Sequence, residues 1–404
     1  MTGAARRVAI TGLGALSSLG GDVPSLWCGV SQGICGIRPT ESISVDRLTV
    51  RTAAEIRGFD PSQHFDARRL QTLDRVAQIA LVAAREAMAA VDLSDCDRSR
   101  CGVIVASALG QQTLDHFYQA FYEGAAKRLP PLTVPMTMPS ASASHISIEF
   151  GLKGPCFAVS SACASASHAI GLSFQMIRAG IMDLAVTGGS DASIQMGFMK
   201  AWEALRVLSP DVCRPFSRDR AGLVIGEGAG ILVLEAWDHA VARGAEIYGE
   251  LAGFGMTADA DDLLAPNAAG AAQAIQAAIS DAGLTASQID YVNAHGTGTR
   301  LNDLTEVRAL TQVFGARLPH LPVSSSKSMF GHCLNAGGGL ELIVTVLALL
   351  HGRLPPTIGF REPDPECAID CVPNRMREAA IECAISNSFA FGGLNAVIAV
   401  KRVP

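Results

Sequence analysis

The sequence predicts an α/β fold made of two similar halves packed as one body. Three observations lead to it: short apolar runs of strand type, Ala-rich helical stretches between them, and the same order of elements met twice. The strand-type runs come first in order at Val8–Gly12, Gly102–Ala106 and Leu184–Gly188. They continue at Ile231–Glu235, Tyr291–His295 and Ala396–Val400. Each is short and apolar throughout, as strands covered on both faces are. The helical stretches are Arg75–Ala90, Cys163–Ala179, Ala271–Ala282 and Gly338–Leu350. The halves echo one another: Ala83–Met88 leads to the strand at Val103, and Ala274–Ile279 leads to the strand at Val292. A duplication with its second copy starting near Tyr248–Gly255 explains the echo. The alternative is that any two βα units look alike at this level. On the first reading the halves are residues 1–247 and 248–404.

Composition fits a packed body. Hydrophobic residues are 49% and charged residues 17%, which excludes a disordered chain. Aromatics are only 5% and glycines number 40, so the core is aliphatic and small, with elements packed backbone to backbone. The net charge of −6, without a basic run, gives no nucleic-acid signature. The start of the chain is too short in apolar residues for a signal peptide. The run Leu340–Leu350 carries Glu341 and falls short of the ~18 residues of a membrane span. The expectation is a soluble cytoplasmic protein. Eleven cysteines, an odd number without a CxxC pair, argue against a disulfide framework or a zinc site. Most should be small buried hydrophobes.

One cysteine differs. Cys163 follows the apolar segment Phe157–Val159, precedes a helical pattern and is surrounded by Ser160, Ser161, Ala162, Ala164 and Ser165. A sulfur at a strand-to-helix turn sits where unpaired N–H groups and the helix dipole favour an anion, which lowers a thiol's pKa. The competing reading is a buried core cysteine; the small neighbours, which leave room for a substrate, favour the nucleophile. His295, in Asn293-Ala294-His295-Gly296-Thr297-Gly298-Thr299, ends a strand among small residues. His332 stands between Lys327 and the Gly337–Gly339 helix start. Either could move or hold protons at neutral pH, or be a satisfied structural histidine. The other histidines are read as structural or surface. Phe389-Ala390-Phe391-Gly392-Gly393 is a Gly turn that offers backbone N–H groups to an oxyanion, a weak signal alone.

Together these segments resemble the β-ketoacyl-acyl-carrier-protein synthases, the condensing enzymes of the thiolase-like superfamily. The resemblance spans the chain, from Val8–Gly14 through Arg214-Pro215-Phe216-Ser217 and Gly226–Gly230 to Phe391-Gly392-Gly393. The Cys-His-His set is similar to the elongating synthases, and no second cysteine stands near the C-terminal turn as in thiolases. Lys200–Ala204 and Pro363–Cys367 look more like nodulation-type and polyketide members.

The resemblance implies a thiolase-like α-β-α-β-α fold from two βαβαβ halves. It implies decarboxylative condensation of a malonyl-carrier with an acyl chain held on Cys163. His295 and His332 would hold the enolate oxygen, with His295 the favoured aid to decarboxylation. The N–H groups of Cys163 and Phe391 would hold the acyl oxyanion. Lys327 would act electrostatically and Glu306 as a supporting partner; Asp303, on the same face, could instead be a solvated helix residue. Thr297 and Thr299 would bind the pantetheine arm. Trp202, Gly392 and Gly393 would line the substrate path, with Phe391 as gate. Arg68, Arg69 and Arg206 are candidates for docking an acidic carrier protein, or ordinary surface arginines. No organic cofactor is implied, because phosphopantetheine arrives on the carrier. No metal site is read, although relatives can bind a monovalent cation near segments like Asn293 and Asn387. The expected assembly is a homodimer, or a heterodimer with a chain-length-factor-like subunit. The competing functions are a non-catalytic chain-length factor and a thiolase acting on coenzyme A esters. Departures from the pattern are Ser161, Cys333, Asn335, Asp262, Leu394 and Trp202, several of which would alter the pocket wall.

Overall fold

A computed structural model describes residues 6–94, 96–108 and 110–403. Ten strands form one sheet. They are β1 (Val8–Leu16), β2 (Cys101–Ser107), β3 (Cys156–Val159), β4 (Leu184–Asp191), β5 (Gly228–Ala236), β6 (Gly249–Ala258), β7 (Tyr291–Asn293), β8 (Val323–Ser324), β9 (Cys383–Ala390) and β10 (Leu394–Lys401). Their order across the sheet is β8-β7-β9-β10-β6-β1-β5-β4-β2-β3. Each half therefore has the same order, third-second-fourth-fifth-first, counted from its own start. The directions repeat too. β2 runs parallel to β3 and β4, while β5 is antiparallel to β4 and β1. β7 runs parallel to β8 and β9, while β10 is antiparallel to β9 and β6. The two copies join through a short antiparallel pairing of β1 with β6.

The principal helices are α1 (Arg75–Met88), α2 (Ala141–Phe150), α3 (Ser165–Arg178), α4 (Met196–Ala204), α5 (Ala268–Asp281), α6 (Arg300–Phe314) and α7 (Gly337–His351). α1 packs on β1 and β5, and α5 packs on β6 and β10, one on the outside of each half. α3 and α7 touch each other between strands of both halves. That gives the five layers expected. α7 is buried on all sides from Gly337 to Leu349, as an all-round apolar helix requires. The helical stretch Leu334–His351 is in fact long and apolar enough to cross a membrane by composition, contrary to the reading of Leu340–Leu350 alone. It is 83% buried inside the protein, which is the other use of such a helix.

Backbone-to-backbone packing is visible at four glycines. A Cβ at Gly12 or Gly14 of β1 would lie 2.0 or 1.9 Å from a carbonyl oxygen of Ala87 or Ala83 in α1. At Gly253 or Gly255 of β6 it would lie 2.3 or 2.1 Å from Ala278 or Ala274 in α5. The same close strand–helix approach thus occurs once in each half, and any side chain there would push the layers apart.

Candidate active site

The nucleophile turn joins β3 to α3. Ala162 holds a left-handed φ of 49°, uncommon for a residue with a Cβ, so the turn is over-determined by its neighbours. Ser161 N donates to Ser165 Oγ at 2.8 Å, and that hydroxyl lies 2.6 Å from Ala162 O and 2.9 Å from Asn335 Oδ1. Asn335 in turn donates to Asp191 Oδ2 at the end of β4. His168, read as a structural or surface residue, lies directly beneath: its Nδ1 is 2.8 Å from Ser161 Oγ. Cys163 is half-buried at the inner end of a cavity of about 200 Å³. Its thiol is not acidified as expected. Loss of water around the sulfur pushes it up to about 12, against the opposing pull of Lys327.

The same cavity is lined by His295 and His332, whose rings meet edge to face with centroids 5.4 Å apart. Both are buried. Burial and the Lys327 charge hold both well below the usual histidine range, so both are neutral at pH 7. Their tautomers follow from their neighbours. Lys327 Nζ, 3.4 Å from His295 Nδ1, is an ammonium with donors only, so His295 Nδ1 accepts and Nε2 carries the proton. Leu334 N donates to His332 Nδ1 at 3.3 Å, which leaves its proton on Nε2 as well. Each ring thus keeps one N–H for a ligand. Lys327 is itself fixed by an ion pair with Glu341 of α7, both 1% exposed.

Glu306 and Asp303 share a face of α6, and both are fully buried, so the solvated alternative for Asp303 does not hold. Glu306 accepts from His295 N at 2.9 Å, Gly296 N at 2.8 Å and Asn387 Nδ2 at 3.1 Å. It shapes the loop that carries His295. Asp303 accepts from Phe216 N and Gly298 N and faces Arg220 at 3.6 Å. Burial pushes the Glu306 carboxyl from 4.5 up to about 7. The folded form therefore binds this proton more tightly than the unfolded chain. The stability it contributes is fully present below pH 4.5 and lost as pH rises through about 7. Wild type is expected to lose thermal stability between pH 5 and 8 more steeply than Glu306→Gln, a difference that paired melting curves measure.

Thr297 and Thr299 both line the cavity, with their hydroxyls 3.0 Å apart. Thr299 also caps α6. Trp202 and Phe391 line it too, stacked at 5.9 Å and 23°, with Phe198 edge-on to Trp202. Gly392 and Gly393 take a different part from the expected one. Both adopt left-handed φ, 81° and 67°, and neither lines the cavity. Their N–H groups are already given to Leu263 O and Ala390 O. They form the turn, and the donors left for an oxyanion are the N–H groups of Phe391 and Cys163, which have no partner elsewhere among the described residues. Arg206 is exposed between Leu205 and Val207, which line the cavity mouth. Arg68 and Arg69 stand elsewhere, on a short helix where Arg69 pairs with Glu149.

Sequence reasoning passed over Leu264, Pro266, Leu301 and Asn302 in the lining; Leu264 and Leu301, both exposed apolar residues, were the signal for a mouth. Two buried amide oxygens, Asn293 Oδ1 and Asn387 Oδ1, have no hydrogen-bond partner among the described residues, and Ser386 Oγ, in register with Asn293 on the neighbouring strand, has none there either. Such oxygens suit a hard cation.

Residues 5–240 match the family description "Beta-ketoacyl synthase, N-terminal domain" and residues 248–361 match "Beta-ketoacyl synthase, C-terminal domain". The chain is 46% identical over 401 residues to nodulation protein E of Rhizobium sp. (strain N33), covering 98% of this chain and 100% of that protein. It is 41% identical over 407 residues to 3-oxoacyl-[acyl-carrier-protein] synthase 2 of Staphylococcus aureus (strain N315), covering 98% of each. A similar solved structure is the ishigamide ketosynthase/chain length factor, with a TM-score of 0.94 at 35% identity, covering 99% of this chain and 100% of that one.

Proposed function

The chain belongs to the β-ketoacyl synthase family, and from that premise we propose that it condenses a malonyl-acyl-carrier-protein with an acyl chain carried on Cys163. The observation that carries this reading is one cavity holding a thiol and two neutral imidazoles whose Nε2–H groups are free. The halves are taken as residues 1–247, with the nucleophile, and 248–404, with both histidines.

Cys163 attacks the acyl thioester of a carrier-borne phosphopantetheine arm. The tetrahedral oxyanion is held by the N–H groups of Cys163 and Phe391. The carrier thiol leaves, taking up the proton that the Cys163 thiol gives up. Malonyl-carrier then enters along Thr297 and Thr299. As its carboxylate departs as CO₂, negative charge moves onto the thioester oxygen, and His295 and His332 donate to it. Neutral donors suit this step, because they hold the enolate without protonating the carbon that must attack. That carbon attacks the acyl-Cys163 carbonyl; the acyl–sulfur bond breaks, the β-ketoacyl-carrier is released, and the Cys163 thiolate takes a proton from water to restore the resting thiol. Lys327 and Glu306 position His295. A monovalent cation on Asn293 Oδ1 and Asn387 Oδ1 would brace the same loop and supply no group to the reaction. A chain-length factor has no need of this trio, and a thiolase would need a second active cysteine, so neither alternative is favoured.

Mass spectrometry of the acyl group trapped on Cys163 from a mixture of acyl-carriers tests the reading. Failure to find any acyl group there overturns it. The chain class is read from the wall. A cavity of about 200 Å³ is smaller than the ~300–1,000 Å³ that a medium-sized ligand needs, so a long chain requires the Trp202–Phe391 pair to part. Trp202→Ala is expected to raise kcat/KM for a long acyl-carrier over a short one by about tenfold. Measurement of that ratio with two chain lengths checks it.

The partners proposed are an acyl carrier protein, docking near Arg206, and a second copy of this chain. β3 supports the second: it is the sheet's last strand, its outer edge is unpaired among the described residues, and Phe157 is 38% exposed on it. On α2, which packs against β3, Ile148 is 68% exposed. The ishigamide neighbour's name pairs a ketosynthase with a chain length factor, and such a subunit is the alternative occupant of the same edge. Phe157→Asp is expected to turn a dimer into a monomer in sedimentation velocity. All eleven cysteines are free, which fits the cytoplasm as the compartment.

A further inference from the structure

We propose that Cys96 is a second reactive thiol, remote from the catalytic cavity, that forms a mixed disulfide with low-molecular-weight disulfides. Its Sγ is 3.6 Å from His239 Nε2, and His239 Nδ1 is 2.8 Å from Glu235 Oε2. Glu235 is fully buried at the end of β5. Its carboxylate is fixed by Arg243, at 2.9 and 2.5 Å, and by the Thr11 hydroxyl of β1. These partners hold it below the usual glutamate range, so it is ionised. An ionised carboxylate only accepts, so His239 Nδ1 carries the proton and Nε2 turns its lone pair to the sulfur. Sulfur, imidazole and carboxylate thus stand in the order of a nucleophile, a base and the group that orients the base. His239 is 26% exposed and Cys96 is half-buried, so a small molecule can reach both.

Among the described residues, the other charges facing Cys96 are Arg98, Arg243 and Asp92. Burial and Glu235 keep the resting thiol protonated. The nucleophile forms during attack: the Cys96 proton passes to His239 Nε2 as sulfur bonds to one sulfur of the disulfide. The old S–S bond breaks, and the departing thiolate takes the proton from His239. The products are a mixed disulfide on Cys96 and one free thiol, with no net oxidation.

The test is labelling of the whole protein with oxidised glutathione, followed by peptide mass spectrometry. Cys28 is more exposed than Cys96 and lacks a histidine partner among the described residues, so it serves as the internal reference. Cys96 is expected to react at least about tenfold faster than Cys28, and His239→Gln to remove that advantage. Cys96→Ser should leave condensation unchanged. Equal rates at Cys96 and Cys28 in wild type overturn the proposal without recourse to any variant. So does a His239→Gln protein, folded by circular dichroism, that labels Cys96 at the wild-type rate.

Discussion

Cys163→Ala is expected to lower condensation at least about a thousandfold, because no other thiol among the described residues lines the cavity to hold the acyl chain. Malonyl-carrier decarboxylation should continue, since His295 and His332 are untouched. Cys163→Gln should decarboxylate without condensing as well. The high thiol pKa of about 12 makes this separation sharper. The resting thiol is protonated at pH 7, so the proton must leave as the acyl thioester arrives. Acylation and decarboxylation therefore draw on different groups. The two rates are measured separately, as β-ketoacyl-carrier formed and as CO₂ released. A Cys163→Ala enzyme that condenses at the wild-type rate sinks the covalent mechanism. Loss of both reactions in Cys163→Gln sinks the division of labour.

The second large effect concerns Lys327. Lys327→Met leaves Glu341 buried without its partner, and breaking a buried pair costs about 3–5 kcal/mol. Burial already raises the Glu341 carboxyl, and loss of the ammonium raises it further. The folded protein then favours the protonated form, so the destabilisation should be small at acid pH and grow as pH rises. Urea denaturation at pH 5 and pH 8 measures it. Activity should fall for another reason: His295 Nδ1 loses its donor, and the ring can flip its proton away from the cavity. The double change Lys327→Met/Glu341→Leu removes the orphan charge. It should recover most of the stability and little of the decarboxylation rate. Recovery of both would mean that Lys327 serves folding alone.

How much of this was legible depends on where each partner lies. β2, β4 and β5 announce themselves because each carries an unbroken run of small and apolar residues, as a strand buried on both faces does. β9 is disguised by Ser386-Asn387-Ser388, buried polar residues that no local pattern requires; Asn387 answers Glu306, 81 positions away. Asp303 looked free to face water because its partner Phe216 N lies 87 positions off. The setting of Cys163 at a strand-to-helix turn was legible. Its pKa was not, since the dehydration comes from the folded surroundings rather than from the turn. Asn335, a departure from the expected pattern, turns out to tie Asp191 to Ser165 beneath the nucleophile. Gly392 and Gly393 looked like donors because sequence shows a glycine's freedom, not whether its N–H is already given away.

The identical strand order has one more consequence. Cys163 stands just before α3 and His332 just before α7, the corresponding helices of the two halves. The same corner of the repeated unit thus carries sulfur in the first half and imidazole in the second. Restoring the symmetry in either direction would yield two matching corners and no enzyme. What the copies share makes the scaffold; where they disagree, a carbon–carbon bond can be made.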